Sequence, residues 1–366
     1  MDARHAQTAG IERAATMQDI ADRCGVSLIT VSRALRDDPR VRPETAGRIR
    51  ETAAALGYDP ACHHAARRLA LRKHGIHVIN HIFATFMPGD FARANYFLNL
   101  FRGVLAMATS RGFALLTADP AMTQPLPIYT RGDVDGFIAV GWDAYQQHVP
   151  LARLAPALRG RRCPIVVMLV PVEGCSRVLT DDFGGAYAAT AHLLALGHRR
   201  VLHFWPEIPE MGPIYLHDQR RAGCRQAYRD HGLNPDDGLY GLRMDHLLPL
   251  EQRMPDALRR AWAAHPGITA ILLPNDGYAS LAREALRALG LRVPEDISIV
   301  GFDDAEPLPD AAGRNLLTTV RVPLEAVGRA AAEMLARHVT EQRDELEAVT
   351  LPTELVVRGT TAPPRR

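Results

Sequence analysis

The aspartate pair Asp303–Asp304 is the clearest candidate for chemistry in the sequence, because it directly follows the apolar run ISIVGF. Ligands bind outside the carboxyl ends of strands in open α/β sheets, so this position predicts hydrogen bonds to a polar ligand. A solvated loop pair or a helix cap is the structural alternative. Asn275–Asp276 repeats the arrangement after AILLP, where a helix cap and a ligand contact are equally good interpretations.

Arg220 is the candidate cation of such a site, on a predicted helix that also contains Gly223. Its guanidinium has five fixed donors, which suit carboxylates or sugar hydroxyls, although a solvated helix face would explain it equally well. Three aromatic residues, Trp142, Trp205 and Tyr278, follow predicted strands or begin a helix. They could stack on a ligand, but core packing is the commoner role of such side chains.

The sequence lacks the patterns typical of several enzyme classes, namely GxxxxGK[ST], HExxH, GxSxG, and GxGxxG between a strand and a helix. The five cysteines are an odd number and form no CxxC, which favours reduced thiols in the cytoplasm. No apolar run reaches the roughly 18 residues of a membrane span, and no signal peptide is visible. We therefore expect a cytoplasmic protein without enzymatic activity, cofactor or metal.

From residue 76 onward, short apolar runs alternate with amphipathic segments. The runs with the length and composition of strands are 76–80, 113–118, 136–141, 164–170, 200–205, 270–274 and 297–304. The segments with helical periodicity are 98–112, 184–198, 216–232 and 276–290. This alternation predicts parallel sheets covered on both faces, and its length favours two lobes over one sheet. The final residues, TTAPPRR, are expected to be frayed.

Residues 16–57 predict three short helices instead. The first begins at Thr16 with TMQD, a variant of the capping box in which Asp19 replaces glutamate. Gly25 suits the left-handed turn that follows this helix. A third helix is expected over 43–57, with an apolar stripe that faces a shared core.

The second helix is expected to begin after Ser27, whose hydroxyl can accept from the backbone of the first turn. If Val31 packs inward, then Leu28, Ile29 and Arg33 face outward, because neighbours on one helix face lie three or four residues apart. Two aliphatic side chains beside an arginine are unusual on a solvent face. This face is therefore the candidate recognition surface of the module.

Charge is distributed unevenly along the chain. Residues 1–74 carry 13 Lys and Arg against 9 Asp and Glu, a net charge of +4, whereas the whole chain has +2. The remaining residues therefore carry −2. An excess of positive charge in one short segment weakly indicates a polyanionic partner.

Residues 16–58 resemble the DNA-binding domain of the LacI/GalR transcriptional regulators over its full length. The residues of the pattern D-(I/V)-A…G-V-S…T-V-S-R that carry this resemblance are Asp19, Ile20, Ala21, Gly25, Val26, Ser27, Thr30, Val31, Ser32 and Arg33. The rest resembles the ligand-binding body of the family in VDGFI (134–138), TDDFGGAY (180–187), LLALGHRRV (193–201), RRAGCRQA (220–227), ITAILLPND (268–276), LRVPEDISIVGFDD (291–304) and LTTVRVPLEAVGRAAAEML (317–335).

The resemblance implies an α + α/β fold class with a helix-turn-helix DNA-binding domain, a hinge, and a two-lobed core like that of type I periplasmic binding proteins. We place the DNA-binding domain at 15–60, the hinge at 61–74 and the core at 75–366. The expected bounds within the core are about 75–174 and 307–340 for the N-lobe, and about 175–306 and 341–366 for the C-lobe.

For DNA, the resemblance assigns major-groove contacts to Leu28, Ile29 and Arg33. Arg33 could donate to O6 and N7 of a guanine, whereas the two aliphatic residues offer only apolar contact, as to thymine methyl groups. It implies phosphate contacts for Thr30 and Ser32, and Thr16 and Ser27 are further candidate DNA-binding residues.

The hinge departs from the family pattern. Relatives have a leucine at a set spacing beyond the proline after G-Y, and this leucine wedges into the minor groove and kinks the duplex. Here Arg67 stands at that spacing after Pro60, and Leu69 is the candidate wedge two residues later. The hinge geometry and the half-site spacing are therefore expected to differ from those of relatives.

For the effector, the resemblance implies contacts from Arg220, Asn275 and Asp303, with Trp142 as a further candidate. Leu169 stands where relatives often have a polar residue, so one polar contact is lost and a less hydroxylated ligand becomes plausible. The implied ligand is a sugar or a related small metabolite.

The predicted function is a DNA-binding transcriptional regulator, a repressor in the preferred interpretation, whose operator affinity depends on a small molecule bound between the lobes. It would act as a homodimer, or as a tetramer, on double-stranded operator DNA. A plain solute-binding protein is one alternative, but it leaves residues 16–57 unexplained. A DNA-binding regulator without ligand control is another, and an enzyme that uses Asp303 and Asp304 is a third.

Overall fold

The chain forms two compact units, Met1–Val78 and Ile79–Arg366, which are described separately below. A computed structural model describes residues 16–35, 38–58, 79–86, 95–118, 134–140, 163–204, 215–242 and 250–365. The predicted hinge, 61–74, lies outside these residues. None of the described helices is long and apolar enough to cross a membrane.

The N-terminal unit contains the three predicted helices, α1 (Met17–Cys24), α2 (Leu28–Ala34) and α3 (Pro43–Ala55). The capping box of α1 is confirmed, since Oγ1 of Thr16 accepts from the N–H of Asp19 and the Asp19 carboxylate accepts from the N–H of Thr16. The core of this unit consists of the buried residues Ile20, Ala21, Val31, Ala34, Ala46, Ile49, Ala53 and Tyr58.

The turn between α1 and α2 depends on a left-handed residue. Gly25 has φ of 63° and its N–H donates to the carbonyl of Ala21, so the turn ends α1 as the sequence predicts. A side chain in this conformation would be strained, whereas glycine adopts it readily. The chain can then enter α2 at once, through the Ser27 cap.

The C-terminal unit is built on two six-stranded sheets, which define its two lobes. The strands of the first sheet are β1 (Ile82–Phe86), β2 (Ala114–Ala118), β3 (Gly136–Val140), β4 (Ile165–Met168), β5 (Ser176–Thr180) and β11 (Ala348–Leu351), in the order β11-β5-β4-β3-β1-β2. All of its strand pairs are parallel. The expected parallel sheet is therefore confirmed for this lobe.

The second sheet has the same design with one antiparallel edge. Its strands are β6 (Val201–Phe204), β7 (Leu239–Leu242), β8 (Ala270–Leu272), β9 (Ser298–Asp303), β10 (Thr319–Arg321) and β12 (Glu354–Val356), in the order β12-β10-β9-β8-β6-β7. Only the pair β10–β12 is antiparallel. The described helices of this unit are α4 (Asn95–Ser110), α5 (Asp182–Ala195), α6 (Tyr215–Asp230), α7 (Leu250–Ala264), α8 (Asp276–Ala288) and α9 (Leu324–Thr340), with a short 3-10 helix at Pro235–Asp237.

The predicted lobe boundaries are wrong for three strands. Strand β5 was assigned to the C-lobe, but Ser176 pairs with Val166 of β4 in the first sheet. Strand β10 belongs to the second sheet beside β9, and β11 belongs to the first sheet beside β5. The chain therefore passes between the lobes after β5, after β10 and after β11. Apolar runs reveal strands, but their partners depend on long-range pairing that the runs do not encode.

The predicted strand over 76–80 is also displaced, because the first described strand begins at Ile82. The N–H groups of Asn80 and Ile82 donate to the carboxylate of Asp135, and His81 between them has φ of 61°. A left-handed residue interrupts an extended strand. The residues 76–78 lie outside the described part of the chain.

The C-terminal tail is bound and not frayed as expected. Thr360 is buried, and its hydroxyl donates to the carbonyl of Ile299 at 2.8 Å. The N–H of Ala362 donates to Oγ of Ser298, and the Ala362 carbonyl contacts His198 at 2.9 Å. The tail is thus anchored along the second sheet by side-chain hydrogen bonds that composition does not show.

Candidate functional sites

The exposed face of α2 is the candidate DNA-binding surface. Leu28 and Ile29 are 43% and 64% exposed, whereas Val31 of the same helix is fully buried. The Ser27 hydroxyl accepts from the N–H of Thr30 at 3.2 Å, which fixes the start of the helix. The predicted division of α2 into a core face and an apolar outward face is therefore present in the structure.

The polar residues predicted to meet DNA lie around this face or cap the helices beside it. Thr16 caps α1, and its hydroxyl donates to the Asp19 carboxylate at 2.6 Å. The hydroxyls of Ser27 and Thr30 are 2.9 Å apart, while the side chains of Ser32 and Arg33 are half-buried. Their contacts to phosphates and bases remain predictions, as does the role of Leu69, which lies outside the described residues.

The second candidate site surrounds Arg220, which is 6% exposed. Its Nε donates to Oδ1 of Asp182 at 2.6 Å, and one terminal nitrogen donates to the carbonyl of Pro274 at 2.7 Å. The other terminal nitrogen lies 3.8 Å from Oδ1 of Asp303. The guanidinium carbon lies 3.5 Å from the centroid of the Phe302 ring. We call Arg220, Asp182 and Asp303 the Arg220 cluster.

Close packing of α6 on α5 brings the first two members of the cluster together. A Cβ on Gly223 would lie 2.2 Å from the carbonyl oxygen of Phe183, so only glycine allows this approach. Gly223 lies one turn beyond Arg220 on α6, and Phe183 follows Asp182 on α5. The contact of the two backbones therefore places the guanidinium beside the Asp182 carboxylate.

The charges of the cluster compensate one another only in part. Burial alone lowers the pKa of Arg220, but the carboxylates of Asp182 and Asp303 raise it by more, so the guanidinium stays charged. Burial raises the pKa of Asp303 well above its usual range, and Arg220 offsets this only partly. Oδ1 of Asp303 is buried and accepts no hydrogen bond from a described residue.

Asp303, the last residue of β9, and Asp304, which follows it, have different roles, so they do not act as a pair. Asp303 joins the Arg220 cluster, whereas Asp304 accepts from Nε of Arg321 at 2.9 Å and from a terminal nitrogen of Arg358 at 3.0 Å. Both aspartates have positive φ, 100° and 54°. Asp304 thus holds β9 to its neighbours, and Asp303 alone fits the predicted ligand contact.

Asn275 caps α8, because its Oδ1 accepts from the N–H of Tyr278 at 3.0 Å. The next residue, Asp276, is buried and accepts from the hydroxyl of Thr319 at 2.6 Å. It also accepts from the N–H groups of Ala305 and Glu306, at 2.7 and 3.2 Å. Asp276 therefore fixes the loop after β9, and burial raises its pKa to about 6.

Residues of the first lobe approach the cluster at the start of α4. The N–H of Asn95 donates to Oε1 of Glu306, in the loop after β9, at 3.2 Å. Burial, and then the negative charge of Asp303, raise the pKa of Tyr96 well above its usual range. The cluster therefore lies where the two lobes meet.

Sequence reasoning did not identify Asp182 or Tyr96 as members of this region, whereas it named Asp276, together with Asn275, as a helix cap or a ligand contact. Asp182 lies in TDDFGGAY, which carried the family resemblance, but nothing in that segment indicates a bond to Arg220. Asp181, the first of the two adjacent aspartates, caps α5. The partner of a buried arginine 38 residues away has no local signal.

The other predicted effector contacts have less support. Leu169 is 2% exposed within the hydrophobic core and has φ of 74°. Tyr278 packs against Phe204, with ring centroids 5.0 Å apart. Trp142 and Trp205 lie outside the described residues. Leu169 and Trp142 therefore remain predictions as ligand contacts.

Two family models match the chain. The model of bacterial regulatory proteins of the lacI family matches residues 16–61, and the periplasmic binding protein-like domain matches residues 190–361. The first match covers the three helices and the second covers most of the second lobe, α9 and β11. Together they span both units of the chain.

Full-length relatives have the same combination of units. The HTH-type transcriptional regulator DegA of Bacillus subtilis (strain 168) is 28% identical over 95% of this chain and 98% of its own length. The sucrose operon repressor of Escherichia coli is 26% identical over 95% of this chain and 100% of its own length. A structure of the transcriptional regulator CelR in complex with cellobiose aligns with a TM-score of 0.61 and 24% identity, over 94% of this chain and 99% of that one. The chain belongs to the LacI family of bacterial transcriptional regulators, with a helix-turn-helix DNA-binding domain and a periplasmic-binding-protein-like domain.

Proposed function

We propose that this regulator represses transcription by binding operator DNA through the exposed face of α2, and that a small metabolite bound at the Arg220 cluster sets its operator affinity. The observation that carries the proposal is the exposure of Leu28 and Ile29 on a capped helix, beside Arg33. Apolar contact with thymine methyl groups would bury both side chains, and Arg33 would donate to a guanine.

The effector part of the proposal is supported by the position of the cluster where the two lobes meet. Asp303 has a buried oxygen without a hydrogen bond from a described residue, and such groups are expensive unless a partner satisfies them. A ligand that donates to this oxygen would lie where the lobes meet, and contacts with both lobes would favour one relative orientation of them. It could shift operator affinity only by binding one state more tightly than the other.

We further propose that the protein acts in the cytoplasm as a homodimer, or as a tetramer, on two half-sites. In this arrangement the hinge 61–74 carries Leu69 as the minor-groove wedge. The four cysteines in the described part of the chain, Cys24, Cys163, Cys175 and Cys224, form no disulfide with one another, which is compatible with a reducing compartment.

The first experiment selects genomic DNA fragments bound by the full-length protein and identifies the nearest genes. Metabolites handled by the encoded proteins are then titrated against the selected operator, with fluorescence anisotropy as the readout. We expect sequence-specific binding and a change in affinity with one class of metabolite. Absence of sequence-specific binding would refute the proposal, and specific binding without any ligand response would favour the regulator that lacks ligand control.

Two variants separate the DNA-binding and effector roles. Asp303→Asn should keep operator binding and lose the ligand response, since asparagine tolerates the positive φ of this position but removes the carboxylate. Leu69→Ala should weaken specific binding far more than non-specific binding. If Leu69→Ala is neutral while Arg67→Ala is not, the hinge alignment is wrong.

A further inference from the structure

The donors of Arg220 are largely occupied within the protein. A ligand carboxylate binds arginine best through two parallel N–H groups on one edge of the guanidinium. Asp182 takes the Nε donor and the Pro274 carbonyl takes a terminal donor, so each edge is already engaged at one nitrogen. The Phe302 ring covers one face of the group. Arg220 therefore offers no complete fork to an anionic ligand.

The cluster also lacks a positive charge that an anion could neutralise. One guanidinium lies near the carboxylates of Asp182 and Asp303, which leaves a net charge of zero if Asp303 is protonated and −1 if it is ionised. His217 does not change this sum, because burial, with Arg220 and Arg221 nearby, lowers its pKa to about 3. Among the described residues, a buried anion would therefore have no counter-charge, which is strongly unfavourable.

The hydrogen-bonding capacity that remains open in the Arg220 cluster is that of an acceptor. Oδ1 of Asp303 is the buried atom that accepts no hydrogen bond from a described residue. An ionised carboxylate only accepts, so a ligand hydroxyl or amino group is its complement. An amino group would also add the positive charge that an ionised Asp303 lacks.

Asp182 is the residue that keeps Arg220 neutralised. Its Oδ2 accepts from the hydroxyl of Thr180 at 2.6 Å, and its Oδ1 accepts from Nε of Arg220 at 2.6 Å. It is the first residue of α5, where the helix dipole favours a negative charge. Its side chain is 1% exposed, so water does not screen the pair.

We infer that the site accepts only effectors without negative charge, which donate a hydroxyl or amino hydrogen to Asp303, and that Asp182 determines this selectivity by neutralising Arg220. This inference rests on the proposed effector function of the same site. It distinguishes neutral polyols and amines, which the cluster accepts, from sugar acids and sugar phosphates, which it rejects.

The test uses acetate as the carboxylate probe and the full-length protein. Acetate is titrated at constant ionic strength while thermal unfolding is followed, for the wild type and for Asp182→Asn. Asparagine keeps the shape of the side chain and the acceptor for Nε but removes the charge. We expect Asp182→Asn to bind acetate at least about tenfold more tightly than the wild type, because its guanidinium has lost its partner charge.

Two further variants locate the effect. Asp181→Asn is the matched control, since Asp181 is the exposed cap of the same helix and bonds to the N–H of Gly184. It should bind acetate as weakly as the wild type. In the double variant Asp182→Asn with Arg220→Gln, the gain should disappear. If Asp182→Asn lacks a folded far-UV circular dichroism spectrum, Asp182→Ser takes its place.

Acetate affinity that is equal in the wild type and in the Asp182 variant would overturn the inference. The inference would also be overturned if the wild type bound acetate with the affinity that is expected of the Asp182 variant. Operator binding is measured in parallel on the same preparations. If operator binding is retained while acetate binding is unchanged, the charge selectivity alone is wrong; if the wild type shows no sequence-specific DNA binding, the proposed function is wrong.

Discussion

The exposed face of α2 and the Arg220 cluster are built in opposite ways. The α2 face exposes apolar side chains, Leu28 and Ile29, on a helix fixed by its own cap and core. The Arg220 cluster buries charged side chains that are supplied by separate elements, α5, α6 and β9. The first is made of neighbours in sequence, whereas the second exists only after the chain has folded. Mutations in the exposed face of α2 should therefore affect binding with little effect on folding, whereas mutations in the buried cluster should affect both.

The largest expected effect comes from breaking the buried charge pair. Arg220→Ala should reduce the free energy of unfolding by about 3–5 kcal/mol, because it leaves Asp182 buried without its partner. Arg221→Ala is the control on the next residue, which pairs with Asp218 at the surface, and should change stability by less than about 1 kcal/mol. Urea denaturation followed by circular dichroism measures both. Equal losses would show that Arg220 is not held as a buried pair.

The pH dependence of stability tests a second buried acidic residue, Asp276. Burial raises the pKa of Asp276 to about 6 from 3.8, so the folded state retains a proton that the unfolded state has lost between these values. The stabilisation linked to this proton is complete below pH 3.8 and is lost as the pH rises through 6.

Asp276→Asn removes this titration and also one hydrogen-bond acceptor. Loss of the acceptor should lower the free energy of unfolding of the variant by the same amount at every pH. The wild type should lose about 3 kcal/mol relative to the variant between the acid and the neutral limit. Urea midpoints measured across this range provide the difference curve. A difference that does not vary with pH would contradict the assignment.

Two aliphatic residues of α2, one buried and one exposed, test whether burial decides if a side chain contributes to folding or to DNA binding. Val31→Ala should destabilise the N-terminal unit by about 2–4 kcal/mol, since Val31 is fully buried in its core. Ile29→Ala should leave unfolding unchanged and weaken operator binding, because Ile29 is 64% exposed. Thermal unfolding and anisotropy on the selected operator measure the two effects. A stability loss for Ile29→Ala would mean that its packing within the protein had been missed.

The last prediction concerns base discrimination at the same surface. Arg33→Ala should lose about 1–3 kcal/mol of discrimination between the operator and variants with one guanine replaced, while folding is unchanged. Arg23→Ala, on the exposed last turn of α1, should affect all sequences equally or not at all. Competition binding with single-substitution operators measures this. If discrimination is undiminished, Arg33 does not contact a guanine of the operator.

The expectations that the structure confirms rest on local signals. The caps at Thr16 and Ser27, the left-handed Gly25 and the outward Leu28 and Ile29 depend on contacts within a few residues along the chain. Six strands, β2, β3, β4, β6, β8 and β9, were also recognisable as apolar runs, whereas β5, β7, β10, β11 and β12 were not predicted and the lobes of β5, β10 and β11 were assigned wrongly. Strand composition reports burial and does not specify a partner.

By itself the sequence determined the three helices, the outward face of α2 and the alternation of strands and helices, and it named Arg220 and Asp303 as candidate ligand contacts. Only the tertiary structure decided that Asp182 neutralises Arg220, and that Asp304 is bound by Arg321 and Arg358. Periodicity and caps act over one or two helical turns, whereas charge pairing in a core is set by the packing of elements far apart in the chain. The close approach of α5 and α6 therefore decides that the Asp182 carboxylate lies beside Arg220.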